Sequence, residues 1–140
     1  MPLLSALDII QTIPSIYDRF SLPPNLREHM FRVTNIAQVV CDHWTGEKLE
    51  KENIIAASLL HDIGNIVKMD LDSPAGLAII GKEVARVEYW KDVKARTIAK
   101  YGTNDHLVTA KMIEELNVDP RIREIIDLHV FSRNEEIVFS

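Results

Sequence analysis

A chain of 140 residues is about one domain's worth, enough to bury a single core. With 46% hydrophobic and 26% charged residues, it has the composition of an ordinary globular protein rather than a disordered or fibrous one. Sixteen Lys and Arg against 21 Asp and Glu leave a formal charge of −5, which argues against the broad basic face that duplex nucleic acid requires, so an anionic substrate must be held by local cations.

The N-terminal run "MPLLSALDIIQTI" has no basic region and carries Asp8, so it is not a secretory leader. No stretch of about 18 apolar residues suggests a membrane span. Helices over 3–13 and 15–20 form a lead-in within residues 1–23, and a core follows over 24–130. In "PPNLREHMFRVTNIAQVVCDHW" the prolines suit a first helical turn. Leu26, Met30, Val33, Ala37, Val40, Cys41 and Trp44 then recur at three- and four-residue intervals, the pattern of one buried stripe. The single cysteine, Cys41, lies on that stripe as a small buried hydrophobe. It excludes an internal disulfide or a multi-cysteine metal cage and fits a reducing cytoplasm.

"EKENIIAASLLHDIGNIVKM" is apolar around most of its circumference, as a central helix should be. After a break at "LDSPAG", "GKEVARVEYWKDVKARTIAKYG" reads as a long, more exposed helix ending at Gly102. "GTNDHLVTAKMIEELN" opens on cap-forming residues and carries Leu107, Ala110, Ile113 and Leu116 as its apolar positions. In "DPRIREIIDLHVF", Asp119 is the expected N-cap, Pro120 the first helical residue, and Ile122, Ile125 and Ile126 the stripe. Five Gly and six Pro provide little turn material, and no alternating strand pattern stands out. The expectation is one all-α domain over 1–140, a compact bundle of six to seven helices.

At about 100° per residue, His29 falls within the stripe of its own helix, roughly 40° from Val33. His129 continues the line of Ile125 and Ile126, His106 precedes Ala110 and Ile113, and His61 sits with Asp62 in the most apolar helix. Four histidines thus point inward from four helices beside a carboxylate whose burial is costly without a partner. A divalent cation between the helices would supply that partner. Gly64 would allow an ion to approach the backbone, or the helix to distort. His43, at the edge of its stripe and near a helix C-terminus, reads as structural.

"REHMFRV", with His29, followed some 30 residues later by "LLHDIGNI", with His61 and Asp62, resembles the HD superfamily of metal-dependent phosphohydrolases, whose pattern is H…HD…D on an all-α scaffold. The resemblance implies that His29, His61 and Asp62 coordinate a metal and that a metal-activated water attacks a phosphorus centre. It also implies that His106 and His129 are similar to the extra histidines by which some members hold a second ion, bridged by Asp62. The family's final aspartate has no counterpart, since no Asp follows Asp127; either a segment beyond Ser140 is expected to carry it, the favoured reading, or another residue substitutes. Asn65 stands where the subgroup cleaving cyclic dinucleotides has Lys, and no GYP occurs, so that activity is not expected.

Imidazole and carboxylate ligands suit Mn, Fe, Co, Ni or Zn, one ion or two. Arg32 and Lys68 are the nearest cations in sequence and are expected to complete the catalytic site with Asp62. Asp70 and Asp72 read as loop or lid residues, and Tyr89 and Trp90 as core packing or a cover for the pocket mouth. The expected partner is a small phosphorylated substrate, a nucleotide, with no duplex nucleic acid or membrane; a homodimer stays open. The other readings are a metal- or nucleotide-binding sensing module without turnover, and a helical protein whose buried histidines are only structural.

Overall fold

The protein, seen in a computed structural model that describes residues 2–128, is all-α. The expected inward position of His129 lies outside the described residues. Seven α-helices run in order: α1 Ala6–Arg19, α2 Pro24–Asp42, α3 Lys51–Leu60, α4 Pro74–Ile80, α5 Val87–Tyr101, α6 Asp105–Leu116 and α7 Pro120–Asp127. Two 3-10 segments, Asn65–Lys68 and Gly81–Arg86, precede α4 and α5 respectively. The described residues contain no strand; Leu4 and Val118 form one isolated parallel bridge. None of the described helices is long and apolar enough to cross a membrane.

The core centres on α3, which packs against α1, α2 and α7. Its residues Ala56, Ala57, Ser58, Leu59 and Leu60 are consecutive and all buried, which explains the apolar sequence around its circumference. The segment is shorter than its sequence suggests. The helix stops at Leu60, a turn carries His61 and Asp62, and a 3-10 segment follows.

The lead-in is one helix rather than two, because α1 continues through Pro14. The proline ring is exposed and forfeits one backbone hydrogen bond, while Ile9, Ile13, Ile16 and Tyr17 stay buried on a single face. A capping box between Ser5 and Asp8 starts the helix. Near its end, the Tyr17 hydroxyl donates to the Leu59 carbonyl at 2.6 Å, tying α1 to the last turn of α3.

Further differences have local causes. The α2 stripe is buried only from Leu26 to Ala37; Val40 and Trp44 are exposed and Cys41 is half-buried. The break at "LDSPAG" contains α4, started by Ser73 accepting from the Gly76 N–H and by Pro74 at the first helical position. In α6 the buried face is Val108, Thr109, Met112, Ile113 and Leu116, while Leu107 is exposed. Asp119 caps α7 as expected, accepting from the Arg121 N–H, and Ile122 and Ile125 are buried.

Candidate metal centre

Where α3 ends, the backbone turns and presents two adjacent side chains to the second turn of α2. His29 Nε2 lies 3.1 Å from Asp62 Oδ2, and His61 Nε2 lies 3.0 Å from the same oxygen. One ligand atom from each of the three residues falls within 4.8 Å of the others. The cluster is graded in depth: the His61 side chain is 1% exposed, Asp62 7% and His29 30%. His61 forms the floor and His29 the side open to solvent.

The hydrogen bonds fix how His61 is used. Its Nδ1 lies 2.6 Å from the Ser58 carbonyl oxygen, which can only accept, so Nδ1 carries the proton and a neutral ring turns its Nε2 lone pair toward Asp62. Two acceptors 3.0 Å apart repel unless a proton or a cation lies between them. Burial alone would raise the Asp62 pKa, but the two imidazoles that face its carboxyl, His29 and His61, outweigh it and hold it well below the usual carboxylate range. The carboxylate is therefore charged. An ionised oxygen facing two imidazole nitrogens, with no thiolate nearby, is a donor set that fits a divalent ion.

At Gly64 the helix has given way to a turn, the distortion that the sequence allowed there. A Cβ there would lie 2.6 Å from the Thr109 backbone nitrogen, and the Gly64 N–H donates to the Thr109 hydroxyl at 2.9 Å. The glycine lets the His61–Asp62 turn lie directly on α6.

His29 and Asp62 open onto a cleft of about 620 Å³, which Arg32, Lys68, Asn25 and Asn65 also line. Both cations expected from the sequence are therefore at the site. Arg32 forms no ion pair among the described residues, and Lys68 Nζ lies 3.2 Å from Asp105 Oδ2. Asp70 also lines the cleft, where it braces a turn: it accepts from the N–H groups of Asp72 and Ser73 and from the Ser73 hydroxyl, which lower its pKa to about 2. Asp72 instead pairs with Lys91 at 3.2 Å.

Other expected residues lie elsewhere. His106 is not inward: its side chain is 62% exposed, its nearest charged group is the neighbouring Asp105 at 3.8 Å, and the three-residue cluster does not include it. Tyr89 and Trp90 do not cover this cleft but line a separate pocket beside Arg27 and Arg86, where the buried Trp90 ring donates to Glu83. His43 is structural, ending α2 with Nδ1 2.9 Å from the Val39 carbonyl. Sequence reasoning missed the Ser58 carbonyl, Asn25 and the Asp105 carboxylate. Only Asn25 left a signal, lying one helical turn before His29.

Comparison with known proteins gives one match. A family model described as HD domain matches residues 26–137. No curated protein and no solved structure matches the chain.

Proposed function

The chain belongs to the HD domain family, and on that premise we propose that it is a metal-dependent phosphohydrolase acting on a nucleotide or another small phosphate ester. The observation that carries the proposal is the convergence of His29, His61 and the ionised Asp62 at the edge of a cleft that also holds Arg32 and Lys68. At about 620 Å³ the cleft falls in the range of small-molecule sites.

His29, His61 and Asp62 would hold the ion, with Mn, Fe, Co, Ni and Zn all compatible with these donors. When bound, such an ion supplies a Lewis acid for a phosphoryl oxygen and lowers the pKa of water toward neutrality. The chain's own groups do the rest. The Ser58 carbonyl keeps the His61 proton on Nδ1 and so aims Nε2 into the site. Asp62 contributes negative charge at the point where the two rings meet. Arg32 offers a planar fork of donors to the phosphate oxygens. Lys68, steadied by Asp105, adds a second positive charge.

The test is phosphate release from a panel of nucleotides and simple phosphate esters with added Mn²⁺, Co²⁺ or Ni²⁺, comparing wild type with Asp62→Ala. The proposal expects metal-dependent release that the substitution abolishes. Release unchanged by Asp62→Ala would refute the mechanism. Metal binding without turnover on any ester would favour a sensing or interaction module.

A further inference from the structure

A second hollow adjoins the first turns of α2. Pro24 and Arg27 line it, whereas Asn25, Glu28 and His29 line the metal cleft, and the two share no lining residue. Opposite α2, the end of the second 3-10 segment and the start of α5 bring Arg86, Tyr89 and Trp90 to it. At about 340 Å³ it falls at the small end of the range for ligand pockets. Nothing in the reading of the metal centre uses it.

Both arginines are held in place by the fold itself. Arg27 donates from Nε to the Leu22 carbonyl at 2.8 Å and from Nη1 to Asp18 at 2.9 Å, and both partners line the pocket, so its guanidinium is fixed at the pocket wall. Arg86 lies 4.5 Å from the Tyr89 ring centroid and 5.4 Å from that of Trp90, with Nη1 bonded to Glu83. Glu83 also accepts from the Trp90 ring N–H, and Tyr89 meets Trp90 edge-on at 4.8 Å. Ordering a long side chain on a ligand costs entropy, and here the fold has already done most of that ordering. These bonds do not exhaust either fork. Among the described residues, Arg27 keeps Nη2, and Arg86 keeps Nε and Nη2, without a protein acceptor. Asp18 is the one carboxylate lining the pocket, and Arg27 already engages it. Two guanidinium groups against one carboxylate leave the hollow positive, on a chain whose formal charge is −5. The Tyr89 ring is 41% exposed, and Pro24 adds an apolar side, surfaces that a bare inorganic anion would leave uncovered.

We infer that this pocket is a second ligand site, for a small molecule that carries an anionic group, a carboxylate or a phosphate, on a flat unsaturated ring. The free edge of Arg27 takes the anion in charge-assisted hydrogen bonds. The stack of Arg86 on Tyr89 gives the ring a flat wall. The site stands independently of the metal centre and of the phosphohydrolase reading.

The experiment is proton–nitrogen NMR in the presence of Zn²⁺, which is diamagnetic. The indole N–H of Trp90 reports on the pocket through Glu83 and Arg86, that of the exposed Trp44 does not, and Trp44→Phe assigns the two signals. Benzoate is expected to shift the Trp90 signal saturably and to leave the Trp44 signal in place. Benzamide, its uncharged isostere, is expected to bind about tenfold more weakly, and cyclohexanecarboxylate, which keeps the charge and loses the flat ring, about threefold more weakly. Arg27→Gln should weaken benzoate binding about tenfold, and Arg86→Gln about threefold or more. The Arg86 side chain is 55% exposed, so its variant keeps the test standing if loss of the bond to Leu22 unfolds the other. Phenylphosphonate in place of benzoate tells the two anions apart: tighter binding of the phosphonate names a phosphate, tighter binding of benzoate a carboxylate, and either supports the site. No shift of the Trp90 signal with either anion would overturn the inference. So would benzamide or cyclohexanecarboxylate binding as tightly as benzoate, or an affinity for benzoate unchanged by Arg86→Gln.

Discussion

The chain places a histidine beside an aspartate three times, at Asp42–His43, His61–Asp62 and Asp105–His106, and the last two pairs meet opposite fates. At the end of α3 both members are buried. His61 is held by the Ser58 carbonyl, and Asp62 is met by His29 from another helix. At the start of α6 the histidine is mostly exposed and 3.8 Å from Asp105 Oδ2, an oxygen that lies closer, at 3.2 Å, to Lys68. Adjacency in sequence therefore does not make a site. What makes one is the layer behind it: a carbonyl that selects a tautomer, a tyrosine that pins the last turn of α3, and a glycine that lets the turn lie on α6.

That contrast can be broken at several points. The largest effect is expected from Asp62→Ala, which removes the oxygen both imidazoles face. Loss of a partner behind a ligand already costs 10- to 100-fold in metal affinity or activity, so loss of this ligand should cost more than about 100-fold in metal-dependent phosphate release. Gly64→Ala comes next. Its Cβ meets the Thr109 backbone and Val108, neither a flexible side-chain end, so chemical denaturation should show a loss of about 1–3 kcal/mol. Tyr17→Phe removes the hydroxyl that holds the Leu59 carbonyl, two residues before His61. It should cost about 1 kcal/mol in the same measurement. His106→Ala is the sharpening control. As an exposed residue outside the cluster it should shift stability by no more than about 0.5 kcal/mol and leave phosphate release unchanged.

The same contrast marks how far the sequence could be read. His29 is oriented correctly because the phase of α2 rests on Leu26, Met30 and Val33, all of them buried. His106 is misplaced because the phase of α6 rests in part on Leu107, which is exposed, and Ala110, which is only partly buried, whereas Val108, Thr109 and Met112 set the true face. A residue in the first turn of a helix has few periodic neighbours to correct such an error. α4 is hidden because Pro and Gly in "SPAG" read as loop, although Ser followed by Pro is also how a helix begins. Gly64 stands out in sequence, but its reason is Thr109, 45 residues away. Asn25 and Asn65 resemble ordinary turn residues, and only the surrounding fold shows their carboxamide oxygens to be buried.

The proposed function stands on one divalent ion binding among His29, His61 and Asp62, and titration of metal-free protein with Mn²⁺ reads this in wild type, His29→Ala and His106→Ala. Wild type is expected to bind one ion per chain, His106→Ala the same number with the same affinity, and His29→Ala with affinity lowered by more than about 100-fold. Binding that survives His29→Ala undiminished, or that falls as far with His106→Ala, would contradict it.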